Sequence, residues 1–198
     1  MLTPIAASTI AAQAFRLMEL GEISSFADDT KQAQSAAEQY PVALDTCLES
    51  YDWSFARRLV ELPAVALPAA LAPDLDLPYA VALPGELVAL RAVIPEGTFW
   101  RVDENYLRSD QDGSLQIRYT RRIEDETTLP ATFRTAVSAQ LASLLSPRWV
   151  SSRSKRADLV NMASDYLAVA RDNDRHTASH SRADGRARQG DWASEATL

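Results

Sequence analysis

Three adjacent carboxylates, Glu124-Asp125-Glu126, are the residues of this 198-residue chain whose type and spacing come closest to bond-breaking chemistry. A glycosidase needs two such groups, one to protonate the leaving oxygen and one to act as base or nucleophile. The run lies between a strand-like and a helix-like stretch, where acids also fit the solvated approach to a helix N-terminus, and that reading is preferred. No other catalytic set is offered. The two histidines, His176 and His180, fall in a polar segment, so neither an HExxH zinc site nor a buried Ser-His pair can be built. The six glycines (21, 85, 97, 113, 185 and 190) stand singly and form no phosphate-cradling loop. The single cysteine, Cys47, allows no disulfide or thiolate cluster and reads as structural. Catalytic, cofactor and metal sites are therefore not expected.

A second constellation points to binding. Trp149 is interleaved with Arg148, Arg153, Lys155 and Arg156, a pattern suited to nucleic acid, to an acidic protein surface or simply to a solvated loop. The net charge of −7 disfavours tight nucleic-acid binding, whose affinity comes largely from neutralised phosphates. Cations at a helix start oppose its dipole, which favours an external acidic partner. One candidate lies in the chain itself: residues 1–52 hold eight acids against Arg16 and Lys31, whereas residues 128–198 hold ten bases against seven acids. A neighbouring copy could supply the acidic face.

The elements that must position these residues are legible from periodicity. Thr3-Pro4 reads as the start of a first helix over about residues 4–20, ended near Gly21. Ala33, Ala36, Ala37, Tyr40, Leu44, Cys47, Leu48 and Tyr51 lie on one face of a second helix, with a kink expected at Pro41. That helix delivers the chain to Trp53-Ser54-Phe55-Ala56, a corner whose aromatics should be core. Residues 57–120 change texture, with recurrent prolines and short apolar runs. Strands are expected at 57–62, 79–83, 87–94, 99–102, 106–109 and 115–120, with Gln111-Asp112-Gly113 as the hairpin turn into the last. The proline-rich residues 63–78 read as an extended loop. Phe133, Ala136, Val137, Leu141, Leu144 and Leu145 form the stripe of a third helix ended by Pro147, and a fourth follows over about 155–171. The expected fold is α+β, mainly α: a four-helix bundle of residues 1–56 and 128–171, an antiparallel β insertion at 57–127 between helices two and three, and an extended C-terminal tail at 172–198. That tail is too polar to fold by itself, so its order is expected to depend on a partner. There is no apolar run long enough to span a bilayer and no basic n-region of a secretory signal, so synthesis in the cytoplasm is expected.

Taken in order, the chain resembles phage head-to-tail adaptors, in particular the tail tubular protein A family of short-tailed phages. The likeness is carried by Tyr40-Pro41, Asp52-Trp53-Ser54-Phe55-Ala56, Leu59, Leu62, Pro78-Tyr79-Ala80 and Leu83-Pro84-Gly85-Glu86-Leu87, then by Ile117-Arg118-Tyr119 and by Leu129-Pro130 with Phe133, Leu141 and Ala142. It covers about residues 28–146. Where the family has Leu-Pro-x-Asp, this chain has Glu86. The resemblance implies a non-enzymatic virion protein of the neck, without cofactors, that forms a ring, commonly twelve-fold, between the portal protein and a downstream nozzle or tube protein, with DNA passing through the lumen. It also implies a C-terminal tail that reaches the portal. Trp192, with Arg175, Arg182, Arg186 and Arg188, is the expected portal-binding set, and Arg148, Arg153, Lys155 and Arg156 the expected subunit interface. Deleting 172–198 is expected to leave the fold intact. The alternatives are a tail-associated cell-wall hydrolase using the 124–126 carboxylates and a small DNA-binding regulator.

Overall fold

A computed structural model describes residues 8–21, 23, 25–66 and 73–177. The expected start of the first helix at Thr3-Pro4 lies outside them, as do Trp192, Arg182, Arg186, Arg188 and His180. In order the elements are α1 (Thr9–Leu17), α2 (Lys31–Glu49), β1 (Arg57–Leu62), β2 (Ala64–Val65), β3 (Tyr79–Ala82), β4 (Leu87–Ile94), β5 (Trp100–Asp103), β6 (Tyr106–Ser109), β7 (Leu115–Arg121), a 3-10 turn (Glu126–Thr128), α3 (Ala131–Trp149) and α4 (Arg153–Thr177). They divide into two compact units. One is helical, leaving at Ala56 and resuming at Arg122, and the other is the β region Arg57–Arg121.

The architecture overturns the expected four-helix bundle with a β insertion. The chain is α+β, with four helices and two antiparallel sheets of seven strands among the described residues. In the helical unit α3 packs against each of α1, α2 and α4. Its stripe of large residues is only part of what it buries: Ser138, Ala139, Ala142 and Ser146 are buried on the other sides. A helix covered all round is a central one, and small side chains let its neighbours approach closely. Ser138, buried at the centre, satisfies its hydroxyl by donating to Arg134 O at 2.9 Å.

Helix ends follow local chemistry, with three departures from expectation. Ser8 caps α1 by accepting from Ala11 N at 3.0 Å, and Thr30 caps α2 by accepting from Ala33 N at 3.1 Å. The end of α1 is a Schellman closure in which Leu20 N donates to Phe15 O and Glu19 N to Arg16 O. Its left-handed residue is Glu19, at φ 59°, and not Gly21. Pro147 does not end α3, which runs on to Trp149; α2, by contrast, is the single helix expected, with Pro41 inside it. Helix α4 extends six residues past its expected end, so Asp172 to Thr177 are helical and not part of an extended tail.

The β unit has its own core. Sheet A has the order β1-β7-β4 and sheet B the order β2-β3-β6-β5. Val81 and Leu107 of sheet B bury against Val93, Leu115, Ile117 and Tyr119 of sheet A. Because β6 and β7 belong to different sheets, Gln111-Asp112-Gly113 is a crossing between sheets and not a hairpin turn. The hairpin is β5–β6, closed by Asp103 opposite Tyr106 across Glu104-Asn105, with Glu104 in the left-handed region at φ 54°. β2 was not anticipated. It pairs with β3 directly after Pro63 and lies at the edge of sheet B, a position that tolerates nearby proline.

Candidate interaction surfaces and the residues that build them

The aromatic corner anchors the helical unit. Trp53 is fully buried and its indole N–H donates to Cys47 O at 2.8 Å, which satisfies its polar end. Its ring meets Phe133 of α3 edge-on at 4.9 Å between centroids, and Phe55, half-buried, meets Phe133 at 5.0 Å. The turn after Trp53 is held from α4: Asp174 accepts from Ser54 N at 3.0 Å and from Ser54 Oγ at 2.6 Å. Arg171 adds a bond from Nη2 to Ser50 O at 3.2 Å. Asp174 was missed by sequence reasoning because it lies 120 positions from Ser54 and falls in the stretch read as an extended tail. Cys47, buried on α2, has its thiol pushed up to about 12 by burial, against the lowering influence of Arg171. It is an inert thiol at neutral pH.

The three carboxylates go separate ways. Glu124 is exposed. Asp125 caps the 3-10 turn by accepting from Thr127 Oγ1 at 2.7 Å and Thr127 N at 2.9 Å, which hold its carboxyl below the usual range. Glu126 is buried, accepting from Ser8 Oγ and, at 3.3 Å, from Thr9 Oγ1 at the start of α1. Tyr40 of α2 has its hydroxyl pushed well above the ordinary tyrosine range by burial and then by the Glu126 carboxylate. Glu126 thus ties α1 to the approach of α3.

The four cations of the expected subunit interface come together at the α3–α4 junction, on the last turn of one helix and the first of the next. Ser152 caps α4, accepting from Lys155 N at 3.3 Å. Arg148 donates from Nη1 to Ser35 Oγ at 2.8 Å and lies over the Trp149 ring at 5.1 Å, while Lys155 Nζ meets Glu19 Oε2 at 2.5 Å. Arg153 is exposed and Arg156 half-buried. Intrachain bonds therefore occupy Arg148 and Lys155, leaving Arg153 as the most accessible cation of the group. Arg175, expected on a portal-binding tail, is exposed on α4, with Asp172 at 3.7 Å and the Tyr51 ring at 5.8 Å.

In the β unit, Glu86 accepts from Tyr119 Oη at 2.7 Å. Tyr119 is pushed up to about 12 by burial first and by Glu86 next. At the edge of sheet B, Arg101 bonds Asp103 at 2.7 Å and Asp74 at 3.1 Å. Arg101 holds the Asp103 carboxyl below its usual range, and the backbone N–H of Asp76 first, then that of Leu77 and Arg101, does the same for Asp74. Among the described residues no group of three or more His, Cys, Asp or Glu is placed to hold a metal ion, and no helix is long and apolar enough to cross a membrane. Compared with models of protein families and with curated proteins, the chain has no match.

Proposed function

We propose that the chain is a structural virion protein, a head-to-tail adaptor that forms a ring between the portal and the tail and lines the DNA exit channel. The observation that carries the reading is that residues quoted for the adaptor resemblance are also those that build this fold. Trp53 and Phe55 meet Phe133, which opens α3, and Tyr119 meets Glu86. Arg153 and Arg156 at the α3–α4 junction, facing the acid-rich N-terminal region of the next copy, supply a heterologous contact of the type that closes into rings. The partners are the portal protein, a downstream nozzle or tube protein and further copies of this chain, and DNA passes through without sequence-specific contact. Trp192 with Arg175, Arg182, Arg186 and Arg188 is the portal-binding set. Residues 172–198 hold five acids against four arginines, so net charge attraction is weak and an aromatic anchor must dominate.

The test is capture of purified portal rings by the full-length chain, by Trp192→Ala and by a chain ending at Thr177. The deletion starts there and not at residue 172 because Asp174 holds the Trp53 corner. Strong capture by the full chain and loss with both variants supports the proposal, whereas undiminished capture by the shortened chain ends the portal assignment.

A further inference from the structure

We infer that the two edges of sheet B form the joint between neighbouring copies, with β5 of one copy pairing to β2 of the next. This rests on the ring reading and names the surface that makes it. β5 and β2 are the outer strands of sheet B among the described residues, and each carries exposed apolar side chains: Trp100 at 45% and Val102 at 42% exposure on one edge, Val65 at 37% on the other. Exposed apolar edge strands invite pairing with another chain.

The hydrogen-bond phase of the sheet shows which backbone groups face outward. Asp110 N donates to Phe99 O and Phe99 N donates to the Asp110 side chain, so the 99/110 position is a bonded one. Bonded pairs alternate along an antiparallel ladder, so Arg101 and Asp103 turn their N–H and C=O toward β6 while Trp100 and Val102 turn theirs to the open edge. The bond from Leu83 N to Asn105 O fixes the same phase between β3 and β6. Carried on to β2, it turns Val65 inward and Ala64 outward, with Ala66 two residues on in the same phase. Each edge thus offers two outward residues at the same spacing.

Direction and shape match as well. Four strands alternating in direction leave β5 and β2 antiparallel, so a copy set beside the first without being inverted presents its β2 antiparallel to β5. Val102 then faces Ala64 and Trp100 faces Ala66, large against small on one face, because Ala64, Val81, Leu107 and Val102 are serially opposed across the sheet. Arg101, already bonded to Asp74 and Asp103, falls opposite Val65. A two-fold pairing of β5 with β5 that satisfies the same outward groups sets Arg101 against Arg101, and like charges directly opposite are unfavourable.

Ala64→Cys and Val102→Cys in the full-length chain test this with a short bismaleimide, Cys47 being buried and inert. An equimolar mixture of the two single variants should give covalent dimers, the double variant a ladder of higher multimers, and each single variant alone none. Val102→Lys should raise the concentration for half-assembly on the order of tenfold, about 1.4 kcal/mol per contact, and Ala64→Lys should do the same from the other edge, with melting curves confirming that both fold. Cross-linking by Val102→Cys alone would establish the two-fold pairing and overturn the inference. Oligomers in sedimentation without cross-linking in the mixture would overturn it while leaving the ring reading standing. Absence of oligomers under all conditions would remove both.

Discussion

Trp53 shows what one residue contributes when its apolar and polar parts are both satisfied. Its ring is enclosed by Tyr51, Phe55 and Phe133, and its N–H is bonded to Cys47 O. Trp53→Ala should cost about 3–5 kcal/mol, the usual loss for a large aromatic removed from a packed site. Phe55→Ala should cost less, because Phe55 is only half-buried, and the shift of the denaturation midpoint in each variant checks the order. Glu19 is the opposite case, a residue in a conformation its side chain disfavours. Its left-handed backbone costs roughly 1–2 kcal/mol relative to the right-handed region, and its ion pair with Lys155 leaves the Glu19 side chain 83% exposed, where such pairs contribute little. Glu19→Gly should therefore raise stability by about 1 kcal/mol in the same measurement.

At the scale of elements, α4 does more than cover α3. Its last turns carry Asp174 back to the corner where the chain leaves α2 for β1, and hydrogen bonds to a charged group are worth about 1.5–3 kcal/mol each way of counting. Asp174→Ala should destabilise the helical unit by about that amount and Asp174→Asn by less, seen as earlier loss of helical circular dichroism on denaturation. In the β unit, β7 and the loop before β4 are joined by Tyr119 and Glu86. The folded-state value of Tyr119, about 12, lies above the ordinary tyrosine value of about 10. The stability tied to the neutral phenol, from its burial first and the Glu86 bond next, is therefore complete below about pH 10 and is lost as pH rises through about 12. Tyr119→Phe should flatten part of the decline in stability between those values. Part remains, because Tyr40 is also raised and contributes a slope of the same sign.

For the whole molecule, the proposed ring needs contacts that differ at its two sides. The charges at the α3–α4 junction are partly consumed within the chain, so Arg153 and Arg156 carry most of the long-range attraction toward an acidic neighbour. Such attraction is screened beyond about 8 Å at physiological ionic strength. Raising salt should slow assembly, followed by light scattering, more than it dissolves finished rings, whose apolar and backbone contacts are much less sensitive to salt. Assembly rates independent of salt would place the attraction elsewhere.

Periodicity alone determined where most elements lie. The 3.6-residue stripes of α2 and α3 and the bounds of β1, β4 and β6 depend on the local spacing of apolar residues and on nearby breakers, all of which a linear chain carries. The burial of Trp53 was equally legible, because a tryptophan between a helical face and a strand has few other places to go. Only the tertiary structure decided that α3 is central, since Ser138, Ala139, Ala142 and Ser146 announce close packing only once neighbours are present on every side. The same holds for the split into two sheets. Gln111-Asp112-Gly113 has the chemistry of a turn, but whether a turn closes a hairpin or passes between sheets depends on which strands share a core, and Leu107 and Ile117 share theirs across layers. Nothing next to Glu126, Asp174 or Glu86 in the sequence names the group each one bonds. Their partners lie 118, 120 and 33 positions away, and separations of that kind become contacts only through the fold.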